Sequence, residues 1–185
     1  MQNIENITQH IIAYNEGDKV ELSVIVDALY VELCNIAKFQ LNKLNAHAIT
    51  PQELVHEVYL KFAKSSSANA NGRKHFLAIA ATAMRYFIID QIRSENSEKQ
   101  GGYLCATTLS DSKIPIHDNV TEILYIDQAI EKLRKLQPQL ATTIECRYFA
   151  GYSEIETAEA LDVNVRTVRR YWKRAKRWLA IEFTD

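Results

Sequence analysis

The sequence predicts an all-α protein built as two small helical domains. Three observations carry this prediction. Apolar residues recur at spacings of three and four rather than in alternation. Glycine and proline number only 5 and 3 in 185 residues, so few positions can break a helix. Finally, helix-start signatures stand where the apolar periods begin.

The first amphipathic helix is expected over 20–44, with Leu22, Val26, Leu29, Leu33, Ile36 and Leu41 turned inward. The second opens at Thr50-Pro51-Gln52-Glu53, a capping box with proline in the first helical position. Its buried stripe is Leu54, Val55, Val58, Tyr59 and Phe62, which leaves Glu53, His56, Glu57 and Lys61 toward solvent. The run SSSANANG over 65–72 ends it. A third helix, 74–93, is apolar almost all round, through Phe76, Ile79, Ala80, Ala83, Met84, Phe87, Ile88 and Ile92. Such a helix belongs at the centre of a bundle, and its polar residues gather toward its far end.

Residues 94–121 hold adjacent glycines, Pro115 and no sustained period, which marks the domain boundary. The expected units are therefore a bundle over 1–98, a flexible linker over 99–121 and a second helical unit over 122–185. Four helices are expected in the second unit, over 122–136, 138–149, 153–161 and 165–181. Pro138 stands at a helix start and Gly151 after a helix end. Ser153 with Glu156 forms another capping box, and Asn164 is a suitable cap for the last helix.

Composition excludes several classes. An apolar share of 47% and a charged share of 24% are those of a globular chain, so disorder is not expected for most of its length. The N-terminus lacks a basic stretch followed by an apolar run, and the longest apolar stretch, nine residues over 76–84, cannot span a bilayer. A cytoplasmic protein with no membrane partner is the expectation. Cys34, Cys105 and Cys146 are far apart, with no C-x-x-C pair and no histidine at zinc-ligand spacing, so reduced thiols are expected and no metal or other cofactor. Cys34 and Cys146 suit buried helix positions. His10, His47, His56, His75 and His117 are scattered, and no serine sits in a nucleophile-elbow context, so no enzymatic activity is expected.

Net charge is only −1, but charge is concentrated locally. Arg166, Arg169, Arg170, Lys173, Arg174, Lys176 and Arg177 crowd one segment that holds no acidic residue. That segment closes EIETAEALDVNVRTVRRYWKRAKRWL, which has the spacing of a helix-turn-helix: Ala158 lets two helices approach, and Leu161 and Val163 flank the turn. Asp162 stands where many such turns carry glycine. On the last helix Val165, Val168, Trp172, Ala175 and Leu179 form one face, while Arg166, Arg170, Lys173 and Arg177 form another. An apolar face fixes the tilt of the helix and a cationic face meets phosphates and base edges, an arrangement suited to the major groove. Arg166, Thr167, Arg169 and Arg170 are the candidate base readers, whereas Lys173, Arg174 and Arg177 are candidate phosphate contacts.

Three segments in this order, TPQELVHEVYLKF, HFLAIAATAMRYFIIDQIR and IECRYFAGYSEIETAEALDVNVRTVRRYWKRAKRWL, resemble the sigma-70 family of transcription initiation factors, specifically the extracytoplasmic-function (ECF) type and its ECF-like subgroup. The resemblance covers nearly the whole chain. It implies a first domain that binds core RNA polymerase and the minus-10 promoter element, and a second that binds the minus-35 element of promoter DNA. It further implies that Glu53, His56 and Glu57 dock on the largest polymerase subunit. Arg85, Tyr86, Asp90, Gln91, Arg93 and Lys99 match the region that grips and opens DNA, where aromatic and cationic groups hold unstacked bases. The chain departs from the pattern just there: relatives follow the third helix with a dense arginine run, but IRSENSEKQGG carries one arginine, one lysine and two glutamates. An anti-sigma factor or other regulator is a further partner that the resemblance allows. The competing reading is a stand-alone helix-turn-helix regulator, which would need an effector domain, and no strand pattern precedes Ser94 to supply a receiver sheet.

Overall fold

A computed structural model describes residues 4–46, 48–65, 67–99 and 119–184. Every regular element among them is helical. The order is α1 (Ile4–Asn15), α2 (Glu21–Ala28), α3 (Tyr30–Lys43), α4 (Pro51–Lys64), α5 (Arg73–Lys99), α6 (Asn119–Leu136), α7 (Pro138–Ile144), a π-helical turn (Glu145–Phe149), α8 (Glu154–Leu161) and α9 (Val165–Glu182). Most of the region expected to be the linker, together with Cys105, lies outside the described residues.

The expected helix over 20–44 is interrupted at Leu29, whose backbone leaves the helical region at φ −105° and ψ 8°. The break lets α2 pack on α1 and α4 while α3 runs on to pack against α5. Leu22, Leu29, Leu33, Ile36 and Leu41 are buried and Val26 is half-buried, so the inward stripe survives the bend. Helix α1 precedes the first helix expected from the sequence. It buries Ile7, Ile11 and Tyr14, and the Tyr14 hydroxyl donates to the Phe62 carbonyl at 2.7 Å, pinning α1 to the end of α4.

Helix α5 is the axis of the molecule. One side meets α1, α3 and α4; the other meets α6, α8 and the π-helical turn. Coverage on both sides explains why its sequence is apolar nearly all round. Phe76, Ala80, Ala81, Met84 and Ile88 have no exposed surface, and the alanines allow close approach of neighbouring backbones. Buried side chains of both halves join one apolar cluster around this helix.

Both capping boxes form. The Thr50 N–H and hydroxyl each donate to the Glu53 carboxylate at 2.7 Å, and the Glu53 N–H donates back to Thr50 Oγ1 at 3.2 Å. Ser153 and Glu156 repeat the pattern at the start of α8. Each box satisfies otherwise orphaned N–H groups, worth about 1 kcal/mol per cap.

The segment expected as one helix over 138–149 widens after Ile144. The Ala150 N–H donates to the Glu145 carbonyl at 2.9 Å, five residues back, which defines the π turn. Gly151 then takes φ +72°, a conformation open to glycine at little cost, and turns the chain into α8 with its Cα facing the Phe39 ring.

Candidate nucleic-acid interface

The helix-turn-helix is built by α8 and α9. Asp162 adopts the left-handed conformation, φ 51° and ψ 49°, and the Val163 N–H closes the turn onto the Ala158 carbonyl at 3.0 Å. Aspartate tolerates this region better than most residues, which accounts for its standing in place of glycine. Asn164 then caps α9, its Oδ1 accepting from the Arg166 N–H at 2.8 Å.

On α9, Val168 and Ala175 are fully buried, with Val165, Trp172 and Leu179 half-buried beside them. Arg166, Arg169, Arg170, Lys173, Arg174, Lys176 and Arg177 are all exposed, and Thr167 is half-buried in the first turn. Helix α9 therefore has one packed face, seated on α7 and α8, and one cationic face open to solvent. Two of the cations are held locally. Arg169 Nε donates to Glu154 Oε2 at 2.7 Å, which lowers the Glu154 carboxyl below its usual range, and Arg174 donates to Gln137 Oε1 at 2.7 Å. The Lys176 ammonium and the Arg147 guanidinium approach the Trp172 ring at 5.6 and 5.5 Å, a cation–π arrangement that braces the indole.

On α4, Glu53 and His56 are exposed and Glu57 is half-buried. Hydrogen bonds from the Thr50 backbone and hydroxyl hold the Glu53 carboxyl below its usual range, so it stays ionised while serving the cap. His56 lies parallel to Tyr59 at 6.5 Å between ring centroids. Glu57 lines a groove between α4 and α5 with Lys61, Lys64, Tyr86, Phe87 and Asp90.

The six residues expected to grip opened DNA are dispersed from the middle of α5 to its last residue. Asp90 and Arg93 are exposed and lie 3.6 Å apart, Gln91 is half-buried, and Lys99 ends the helix. Arg85 is fully buried. Its guanidinium contacts Asp127, donates to Glu131 at 2.6 Å and reaches Glu145 at 3.1 Å. Arg93 donates to Asp127 at 2.8 Å, the Tyr86 hydroxyl donates to Glu131 at 2.8 Å, and Arg134 pairs with Glu145. Burial disfavours the charge on Arg85, but Glu145, Glu131 and Asp127 outweigh it and hold the guanidinium above its ordinary value. Asp127 is pushed up by burial despite Arg85 and Arg93; in Glu131 the hydrogen bonds from Arg85 and Tyr86 overcome burial and lower it.

Asp127, Glu131 and Glu145 were not singled out from the sequence. The signal available was the i,i+4 pair of carboxylates on the α6 face that also carries Ile123 and Ile130, an acidic edge on an apolar stripe.

A family model for ECF sigma factors matches residues 4–185. The chain belongs to the ECF sigma factor family. The match spans both halves of the molecule, where a stand-alone regulator would account for the C-terminal half only. Comparison with curated protein sequences gives no match. As an ECF sigma factor the protein acts in transcription initiation, in a family of transcription factors rather than enzymes. Among the described residues no helix is long and apolar enough to cross a membrane.

Proposed function

We propose that this ECF sigma factor binds core RNA polymerase through the α4 face bearing Glu53, His56 and Glu57 and directs it to promoters through α9. In this reading residues 1–98 serve the polymerase and the minus-10 element, 99–121 link the two units within the cytoplasmic transcription complex, and 122–185 serve the minus-35 element. The observation that carries it is the exposed cationic face of α9, held by the Asp162 turn on a helix whose opposite face is packed. Arg166, Thr167, Arg169 and Arg170, in the first turns, read base edges, and Lys173, Arg174 and Arg177 position the helix on phosphates.

With a net charge of −1, the free chain has little general attraction for DNA. Specific binding then depends on core polymerase, and an anti-sigma factor or other regulator would act by competing for the same faces. Co-purification with core polymerase followed by run-off transcription is the test. Glu57→Lys should weaken polymerase association and spare duplex contacts; Arg166→Ala or Arg170→Ala should weaken recognition of the upstream element and spare polymerase. Tight sequence-specific binding by the isolated chain, with no polymerase association, would overturn the proposal.

A further inference from the structure

The cationic run of α9 includes a lysine to which neither base reading nor phosphate contact has been assigned, Lys176. Its ammonium lies 5.6 Å from the centre of the Trp172 ring, and the Arg147 guanidinium lies 5.5 Å from the same ring centre. One cation comes from α9 itself and the other from the π turn, so the indole ties the helix to a neighbouring element. Arg147 is anchored in turn. Its Nη1 donates to the Tyr152 carbonyl at 2.9 Å, while the Tyr152 N–H donates to the Cys146 carbonyl at 2.9 Å. Two successive residues of the π turn thus hold the N–H and the carbonyl of Tyr152, where the chain enters α8.

Stability alone does not call for an arginine here. The Arg147 Nε is buried and has no acceptor among the described residues, and burying an unpaired donor opposes folding. An apolar side chain of similar length would fill the space without that cost, so the charge serves another purpose. The seat of α9 shows which. Its fully buried side chains, Val168 and Ala175, are small, and Trp172 stands about one turn from each. A helix seated on small side chains can rock. Arg166 lies a rise of about 9 Å before Trp172, so rocking by about 10° there would carry the first turn about 1.5 Å sideways. That breaks hydrogen bonds to base edges, which need close geometry, while long side chains still follow the phosphates.

We propose that Arg147 and Lys176 are positioning residues that clamp Trp172 and so fix the tilt at which α9 presents Arg166, Arg169 and Arg170 to base pairs, without touching DNA themselves. The inference rests on the reading of α9 as the helix that recognises the minus-35 element. The clamp also lies beside the pair that orients Arg169: the Arg169 hydrogen bond and, more weakly, the Arg147 charge hold the Glu154 carboxyl below its usual range.

To test this, the complex with core polymerase is bound to a duplex library randomised across the upstream element, and the bound fraction is sequenced. Affinity for one duplex of fixed sequence from that library is then followed against salt concentration. Arg147→Met should shrink the preference for the best base over the worst by about tenfold at the most selective position and leave the salt slope unchanged. Arg147→Lys keeps a cation for the ring and should restore most of the preference. Trp172→Leu should reproduce the loss, and the double variant should lose no more than either single one. A salt slope lowered by about one with preferences kept would make Arg147 a phosphate contact and overturn the clamp. Additive losses, or preferences that do not change, would overturn it as well.

Lys176→Gln lies at an exposed position and decides the matter even if Arg147→Met does not fold. It should flatten the same preferences by about threefold at an unchanged salt slope; intact preferences with a lower slope would place Lys176 on phosphate and remove the clamp. A wild-type complex without base preference would remove the reading of α9 and the clamp with it. Preferences flattened by Arg166→Ala but not by Arg147→Met would sink the clamp and leave that reading standing.

Discussion

Arg169 donates from Nε to Glu154 Oε2 across 2.7 Å, so a side chain proposed to read base edges is tied to the preceding helix of the same motif. Both groups are near the surface, with Arg169 68% exposed, and a pair in that setting exchanges readily for a phosphate or a base edge. Glu154→Gln should therefore free Arg169, raise affinity for the upstream element by a few-fold and steepen its salt dependence by up to about one unit of slope. Fluorescence anisotropy of the polymerase complex checks this, and an affinity unchanged at every salt concentration would mean that Arg169 stays clear of DNA.

Cations along α9 should divide by position. Arg166→Ala or Arg170→Ala should cost about 1 to 3 kcal/mol at one base pair and flatten discrimination there. Lys173→Ala or Arg177→Ala should weaken all sequences alike and lower the salt slope by about one. Competition against a library of upstream elements separates the two patterns.

Asp162 sits at φ 51° with a Cβ that glycine would not carry. Asp162→Gly relieves the left-handed strain but loosens the unfolded chain, so the net change should fall between neutral and about 1 kcal/mol of stabilisation. Asp162→Val, branched at Cβ, should destabilise by more than about 1 kcal/mol. Denaturant midpoints report both; a large loss with glycine would show that the aspartate side chain, not the backbone, matters.

Glu156 links α8 to α5 through Lys74, and that hydrogen bond, with the Ser153 cap, lowers its pKa from 4.5 to about 2. Because the folded value is depressed, the stabilisation is fully present above about pH 4.5 and fades as pH falls toward 2. The side chain is 39% exposed, so its contribution should not exceed about 1 kcal/mol. Thermal melts of wild type and Glu156→Gln should differ at pH 5 and converge as the solution is acidified through pH 3. A gap that persists unchanged at low pH would assign the effect to shape rather than charge.

Features set by neighbours in sequence were readable from the sequence. Thr50 with Glu53, Ser153 with Glu156, Asn164, and the two faces of α9 follow from spacings of two to four residues, and each is present. Helix α1 carries the same kind of signal in Ile7, Ile11 and Tyr14, but neither a proline nor a capping box stands at its start. The break at Leu29 has no glycine or proline to announce it, because packing against α1, α4 and α5 makes it. Arg85 shows the limit most clearly. A lone arginine midway along an apolar helix reads locally as an exposed cation, and only partners at 127, 131 and 145 make its burial tolerable.

The widened turn at Glu145 carries a consequence for inheritance. A helix advances about 100° per residue, so deleting a single position within 145–149 would restore ordinary winding and swing Glu145 roughly a quarter-turn away from α5. A one-codon deletion of Cys146 or Tyr148 would thus loosen the contact of α5 with the π turn while leaving every charged side chain in the gene. Among descendants of this sequence, the length of that short stretch, more than its spelling, would govern whether Arg85 keeps Glu145 as a partner.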